Sequence, residues 1–147
     1  MLSWNSPAFV ELIYATAAAG RILVPLNARL APAELIYQLQ SSGATLLFAD
    51  PVLLAPVQGH SDFPADLQVI SLDDDYTDWR AHPNTASLPT KQQDDPVWIL
   101  FTSGSTGRPK GAVLTHRSFM AGLRSAALAR PVEPADKYYY PFPLFHV

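Results

Sequence analysis

Apolar positions along this chain recur with two different periods, and the period separates helices from strands. Phe9, Leu12, Ile13 and Thr16 fall on one stripe at helical spacing. Ser6 before Pro7 supplies the start of that helix, a hydroxyl cap followed by proline at the first helical position, and Gly20 ends it. The apolar run Ile22 to Val24 predicts a short buried strand. A second helix is predicted from Pro32 through Leu35, Ile36 and Leu39 to Gly43, with a core-facing aliphatic stripe, although Ala31 at its cap position has no side-chain acceptor. Thr45 to Ala49 predicts the next strand. Two helix–strand units in succession predict an α/β fold, with a parallel-rich sheet and flanking helices.

The middle of the chain is less regular. Leu67 to Leu72 predicts a strand, and the acidic run Asp73, Asp74, Asp75 and Asp78 reads as a solvated turn. Residues 82–96 are polar and carry three prolines, which predicts a linker or long loop. Val97 to Thr102 and Ala112 to Leu114 read as strands on either side of a loop. A helix comes next from Arg117 to Ala129, with Thr115 as its cap and Phe119, Leu123, Ala126 and Ala127 as its apolar face. Lys137 to Tyr140 predicts a last strand with one buried ring. Its three tyrosines lack interleaved cations apart from Lys137, so they do not form a nucleic-acid stacking platform.

Composition narrows the class. The chain has 147 residues, is 48% hydrophobic and 16% charged, and contains no cysteine. Disulfides, Cys-zinc sites and thiol catalysis are thereby excluded from it, and a cytoplasmic location is the expectation. No apolar run is long enough to span a bilayer. The net charge of −3 is unevenly spread: −7 over residues 1–100 and +4 over residues 101–147. The positive end suits an anionic ligand.

That end holds the ten residues Thr102 to Gly111, TSGSTGRPKG. Three glycines, four hydroxyl residues and two cations fall in this one stretch. Glycine lets backbone turn sharply and approach a ligand closely. Freed N–H groups and hydroxyls can then donate to phosphate oxygens, and Lys110 adds a mobile point charge. Thr102, Ser103, Gly104, Ser105, Thr106, Gly107 and Lys110 are the candidate phosphate-binding residues. Arg108 reads equally well as solvent-facing. The pattern is not a Walker loop. Lys110 is followed by Gly111 rather than Ser or Thr, and a strand rather than a helix comes next.

The segment Ile99 to His116, ILFTSGSTGRPKGAVLTH, resembles the signature of the adenylate-forming (AMP-binding) ligases of acyl-CoA synthetase type. Residues Asn5 to Asn27, Arg29 to Phe48 and Tyr140 to Val147 resemble flanking parts of the same family's large N-terminal domain, and the resemblance is weakest from Val52 to Asp95. It implies that Lys110 and the loop backbone hold the β- and γ-phosphates of ATP, and that His146 lies near the acyl pocket. It further implies magnesium, a carboxylic acid and coenzyme A as the full family's reaction partners, with an acyl-adenylate and then a thioester as products. The family's magnesium glutamate, ribose aspartate and second-domain lysine lie in motifs beyond Val147. The resemblance therefore assigns no catalytic residue and no metal ligand to this chain.

Three expectations result. Both ends read as cut, so residues 1–147 read as part of that domain: 1–50 as helix–strand units, 82–96 as linker, 97–116 as phosphate-binding strand–loop–strand, and 117–147 as helix and strand toward the acyl pocket. The truncated edges predict self-association. The alternative to a ligase is a non-catalytic nucleotide-binding chain, and a third reading is a true NTPase.

Overall fold

A computed structural model describes residues 1–82, 87–102 and 107–146. Its elements in chain order are α1 (Pro7–Ala18), α2 (Pro32–Ser42), β1 (Leu46–Ala49), α3 (Pro51–Gln58), β2 (Gln68–Ser71), α4 (Asp74–Ala81), β3 (Pro96–Thr102), β4 (Lys110–Thr115) and α5 (His116–Ala129).

β1 pairs with β2 in parallel, Leu46 opposite Gln68 and Ala49 opposite Ser71. β3 and β4 form an antiparallel hairpin. Backbone hydrogen bonds join these two pairs through two short extended segments. Leu2 N–H donates to Phe48 O and Asp50 N–H to Leu2 O, each at 2.9 Å, a parallel bridge. The Met1 amine donates to Val24 O at 2.7 Å, and Leu26 N–H donates to Met1 O at 2.8 Å. Leu23 N–H donates to Val97 O and Ile99 N–H to Leu23 O, again parallel. The ladder thus runs β4, β3, the segment around Leu23, the segment around Leu2, β1, β2. Only β4 runs against the rest, so the sheet is parallel-rich, as expected.

Side chains alternate across a strand, and here the alternation sorts the core into two layers. Leu2, Val24, Leu26 and Leu47 pack with Leu35, Ile36 and Leu39 of α2 and Leu54 and Val57 of α3. Met1, Leu23 and Phe48 pack on the other face with Phe9 and Leu12 of α1, Tyr76 of α4, Trp98 and Phe145. Helices cover both faces, the arrangement a parallel sheet requires.

The local signals explain several boundaries. Ser6 Oγ accepts from Phe9 N–H at 3.2 Å and caps α1. Ala31 cannot cap α2, but the Glu34 carboxylate accepts from Ala31 N–H at 2.9 Å and takes over part of that work. Gly43 closes α2 in the left-handed region, φ +65°. Thr115 caps α5 through Ser118 N–H.

Five points differ from expectation. The acidic run is exposed, as expected, but turns into helix after Asp73: Asp73 caps α4 and accepts from Asp75 N–H, while Asp74 and Asp75 occupy its first turn, where carboxylates favour the helix dipole. α3 was not foreseen because Pro56 lies inside it and its apolar residues show no clear stripe; Asp50 caps it. Lys137 to Tyr140 forms no strand. No described backbone pairs with it, and Tyr138 and Tyr139 are exposed at 76% and 84%. The segment around Leu23 makes a single bridge rather than a strand. The foreseen apolar face of α5 exists in sequence, yet no residue of α5 is buried.

Candidate functional site

The hairpin positions the candidate phosphate loop. β3 and β4 are in register up to Phe101 opposite Gly111 and Thr102 opposite Lys110, so the chain leaves and re-enters the sheet at adjacent points. Thr102 Oγ1 donates to Lys110 O at 3.5 Å. Gly107 has φ +90°, a conformation side-chain-bearing residues rarely adopt. Ser103, Gly104, Ser105 and Thr106 lie outside the described residues. Thr102, Gly107 and Lys110 are therefore the candidates whose placement is described, and all three are exposed.

Lys110 has no carboxylate within ion-pair distance among the described residues, where the ion pairs are Arg80–Glu11 and Arg117–Asp94. A cation left unpaired beside a glycine turn can meet an anionic ligand without first breaking a salt bridge. Arg108, which the sequence left open between phosphate contact and solvent, is exposed and lies with its guanidinium carbon 5.9 Å from the centroid of the Tyr37 ring. The Tyr37 hydroxyl donates to Pro109 O at 3.4 Å. The C-terminal limb of the loop thus rests on α2, beside a groove of about 370 Å³ lined by Tyr37, Ile99, Phe101, Lys110 and Gly111. Tyr37 gave no sequence signal, since its contacts are between elements.

The loop follows the carboxyl end of β3. Because β3 runs parallel to the Leu23 and Leu2 segments, β1 and β2, all of these end on the same edge of the sheet. Open α/β sheets place their ligands at that edge. A second crevice of about 290 Å³ opens there, lined by Ser3, Ser6, Glu11, Asp50, Tyr76 and Arg80. The Tyr76 hydroxyl donates to Glu11 Oε2 at 2.7 Å and Arg80 Nη1 to Glu11 Oε1 at 2.9 Å. The Tyr76 and Arg80 bonds hold Glu11 below the usual carboxylate value. Burial, with the Glu11 bond second, pushes the Tyr76 phenol up to about 12. This network joins α1 to α4 and was not legible in sequence.

His146 is exposed and makes no hydrogen bond to Thr102, Gly107 or Lys110. Its segment is held elsewhere. Asn5 Nδ2 donates to Phe142 O at 2.9 Å, and Leu144 N–H donates to Asn5 Oδ1 at 2.7 Å. Phe145 is buried, its ring centroid 6.0 Å from that of Trp4. His116 is the first residue of α5. Among the described residues no group of three His, Asp or Glu side chains converges as a metal site.

A parallel-rich sheet with helices on both faces, and an exposed lysine and a glycine turn at its carboxyl edge, defines an open α/β protein of the class that places ligands at that edge. The family model described as AMP-binding enzyme matches residues 1–147, and the chain belongs to that family. It is 38% identical over 137 residues to the fatty acid–[acyl-carrier-protein] ligase ScoC of Streptomyces coeruleorubidus, covering 92% of this chain and 26% of that protein. It is 33% identical over 161 residues to the long-chain-fatty-acid–CoA ligase FadD13 of Mycobacterium tuberculosis, covering 100% of this chain and 30% of that protein. The N-terminal domain of FACL13 from Mycobacterium tuberculosis, an inhibitor-bound crystal structure, superposes with a TM-score of 0.85 at 34% identity, over 99% of this chain and 37% of that one. O-succinylbenzoate coenzyme A synthetase (MenE) from Bacillus subtilis, in complex with AMP, gives 0.81 at 26% identity, over 99% and 36%. The chain spans about a quarter to a third of the length of these curated relatives.

Proposed function

We propose that residues 1–147 form part of the large domain of an ATP-dependent carboxylate–CoA ligase, and that the β3–β4 hairpin holds the phosphate chain of ATP. The observation that carries this reading is the hairpin itself: Thr102 and Lys110 opposite each other, Gly107 in a glycine conformation, and Lys110 without an ionic partner among the described residues. In adenylate formation a carboxylate attacks the α-phosphate and pyrophosphate leaves. The protein's part in such phosphoryl chemistry is positioning and neutralisation of charge. Lys110, Thr102 and the Ser103–Gly107 stretch would hold the β- and γ-phosphates, stabilising the departing pyrophosphate. His146 would stand toward the acyl substrate. Among the described residues no three carboxylates or imidazoles converge as a magnesium site. Coenzyme A would be the thiol acceptor, a fatty or other organic acid the substrate, and the cytoplasm the location.

Pyrophosphate titration tests the phosphate role. Lys110→Ala should weaken binding by roughly 1.5–3 kcal/mol, the range for a hydrogen bond to a charged group, or about ten- to a hundredfold. Added salt should weaken it too, because the contact is exposed. Equal affinity of both proteins would remove the role. AMP formation dependent on an acid and a thiol separates a ligase from an NTPase, which releases phosphate without either. Binding with neither reaction is the outcome expected of residues 1–147 alone; in a chain of full ligase length it would mark a non-catalytic nucleotide-binding protein.

A further inference from the structure

We propose that Asn5 is a positioning residue for His146. The segment after α5 has no regular structure of its own: residues 131–146 contain no helix or strand. Something other than a hydrogen-bond ladder must fix its course. Asn5 does so with both ends of one side chain. Its amide nitrogen donates to Phe142 O at 2.9 Å and its amide oxygen accepts from Leu144 N–H at 2.7 Å. A side-chain amide carries one carbonyl and one NH₂ on a planar group. It can therefore stand in for a peptide unit of a neighbouring strand, satisfying an acceptor and a donor two residues apart.

Asn5 is in turn fixed by the helix on its C-terminal side. Ser6 caps α1, Pro7 opens it, and Phe9 and Leu12 anchor it in the core. The next turn of the tail is then determined: Phe145 enters the core against Trp4, and His146 N–H donates to Pro143 O at 3.1 Å. The His146 backbone is thereby set by a residue more than a hundred positions away in sequence. No other residue type supplies the same pair of bonds from the same reach. Aspartate lacks the donor and would face the Phe142 carbonyl with like charge. Alanine lacks both groups, and glutamine is one methylene longer.

The functional half of this proposal rests on the reading that His146 faces the acyl substrate. The probe is an acyl-sulfamoyl-adenosine, a non-hydrolysable stand-in for an acyl-adenylate, titrated into the 147-residue chain while amide exchange and the His146 imidazole resonances are followed. Asn5→Ala should speed exchange of the Leu144 amide by about tenfold, as expected for loss of a single hydrogen bond. It should broaden or shift the His146 ring signals, leave α1 amides unchanged, and weaken the probe about as much as His146→Ala does. The double variant should be no weaker than either single one, and pyrophosphate binding should be unaffected. Asn5→Asp keeps the acceptor for Leu144 but sets a carboxylate against the Phe142 carbonyl, so Leu144 exchange should stay slower than in Asn5→Ala while probe binding is weakened, and it serves if the alanine variant does not fold. Unchanged Leu144 exchange overturns the clamp. Probe affinity lost in His146→Ala but kept in Asn5→Ala overturns the positioning role while sparing the site. Probe binding that is absent, or indifferent to His146→Ala, overturns the reading of the site and the functional role of Asn5 with it.

Discussion

A methyl group on Gly111 would lie 2.7 Å from Ile99 Cγ2 and 3.5 Å from the Phe101 ring. Ile99 is β-branched, so that carbon sits close to the backbone and has little freedom to retreat. Gly111→Ala should destabilise the hairpin by roughly 1–3 kcal/mol, the usual cost of overpacking, and thermal unfolding should show a lowered midpoint. An unchanged midpoint would mean that the two strands are less closely apposed. Tyr76 gives a second prediction at this scale. Its folded-state pKa of about 12 exceeds its ordinary value of 10.0. The neutral phenol is therefore favoured by the fold, and its contribution is complete below pH 10. Above that, the unfolded chain releases the proton first, so stability should decline from about pH 10 to pH 12. Tyrosinate absorbance should show a late step that Tyr76→Phe removes. Absence of that step would contradict the burial of the Tyr76 phenol and its Glu11 contact.

The helix α5 makes the sharpest test among the elements. It has no buried residue, and Phe119 is its main link to the core through Trp98, centroids 5.0 Å apart. Burial normally supplies most of a protein helix's stability, because short helices are marginal in water. End contacts therefore matter more here. Thr115 Oγ1 accepts from Ser118 N–H, Ser118 Oγ accepts from Thr115 N–H, and Arg117 forms two hydrogen bonds with Asp94. Thr115→Ala should cost about 0.5–2 kcal/mol, as caps do, and the loss should appear as fraying of α5 rather than global unfolding. Amide exchange resolves the two: acceleration confined to residues 116–129 is the expected pattern. Acceleration that reaches α2 equally would show that α5 is coupled to the whole core.

At the scale of the whole molecule, several large apolar side chains stand uncovered. Leu123, Leu128, Tyr138, Tyr139 and Phe142 are all exposed large hydrophobics. Exposed patches of this kind drive association. Light scattering should show a mass that rises with concentration, and Leu123→Glu with Leu128→Glu should lower it without changing the fold, since neither side chain is buried. A monodisperse monomer at all concentrations would show that the face is tolerated in water. Residues 1–147 expressed alone should also show no ATP–pyrophosphate exchange above background. They span under a third of the ligases they match, and the resemblance assigns no catalytic residue to them. Exchange that survives repurification would overturn this.

Where the determinants were local, the amino-acid sequence alone was enough. Ser6, Pro7, Gly43 and Thr115 marked helix ends because caps act within one turn, on backbone groups that must be satisfied on the spot. The candidate phosphate loop stood out in the sequence because glycines, hydroxyls and a lysine in one stretch already suggest a chemistry. Short-range signals were weaker where proline or charge masked a helix, as at Pro56 in α3 and the Asp73–Asp75 run in α4. The tail shows the other limit. Its aromatic run, Tyr138 to Tyr140, has strand-like residue types, but a strand needs a neighbour with free N–H and C=O groups, and none lies beside it among the described residues. Tertiary structure alone decided the strand order, the separation of Met1 from Leu2 onto opposite core layers, the Glu11–Tyr76–Arg80 network, the seat of the loop on Tyr37 and the Asn5 clamp on Phe142 and Leu144. Apart from the parting of neighbours Met1 and Leu2, each of these joins groups far apart in the chain, and such pairings exist only once the sheet has brought them together.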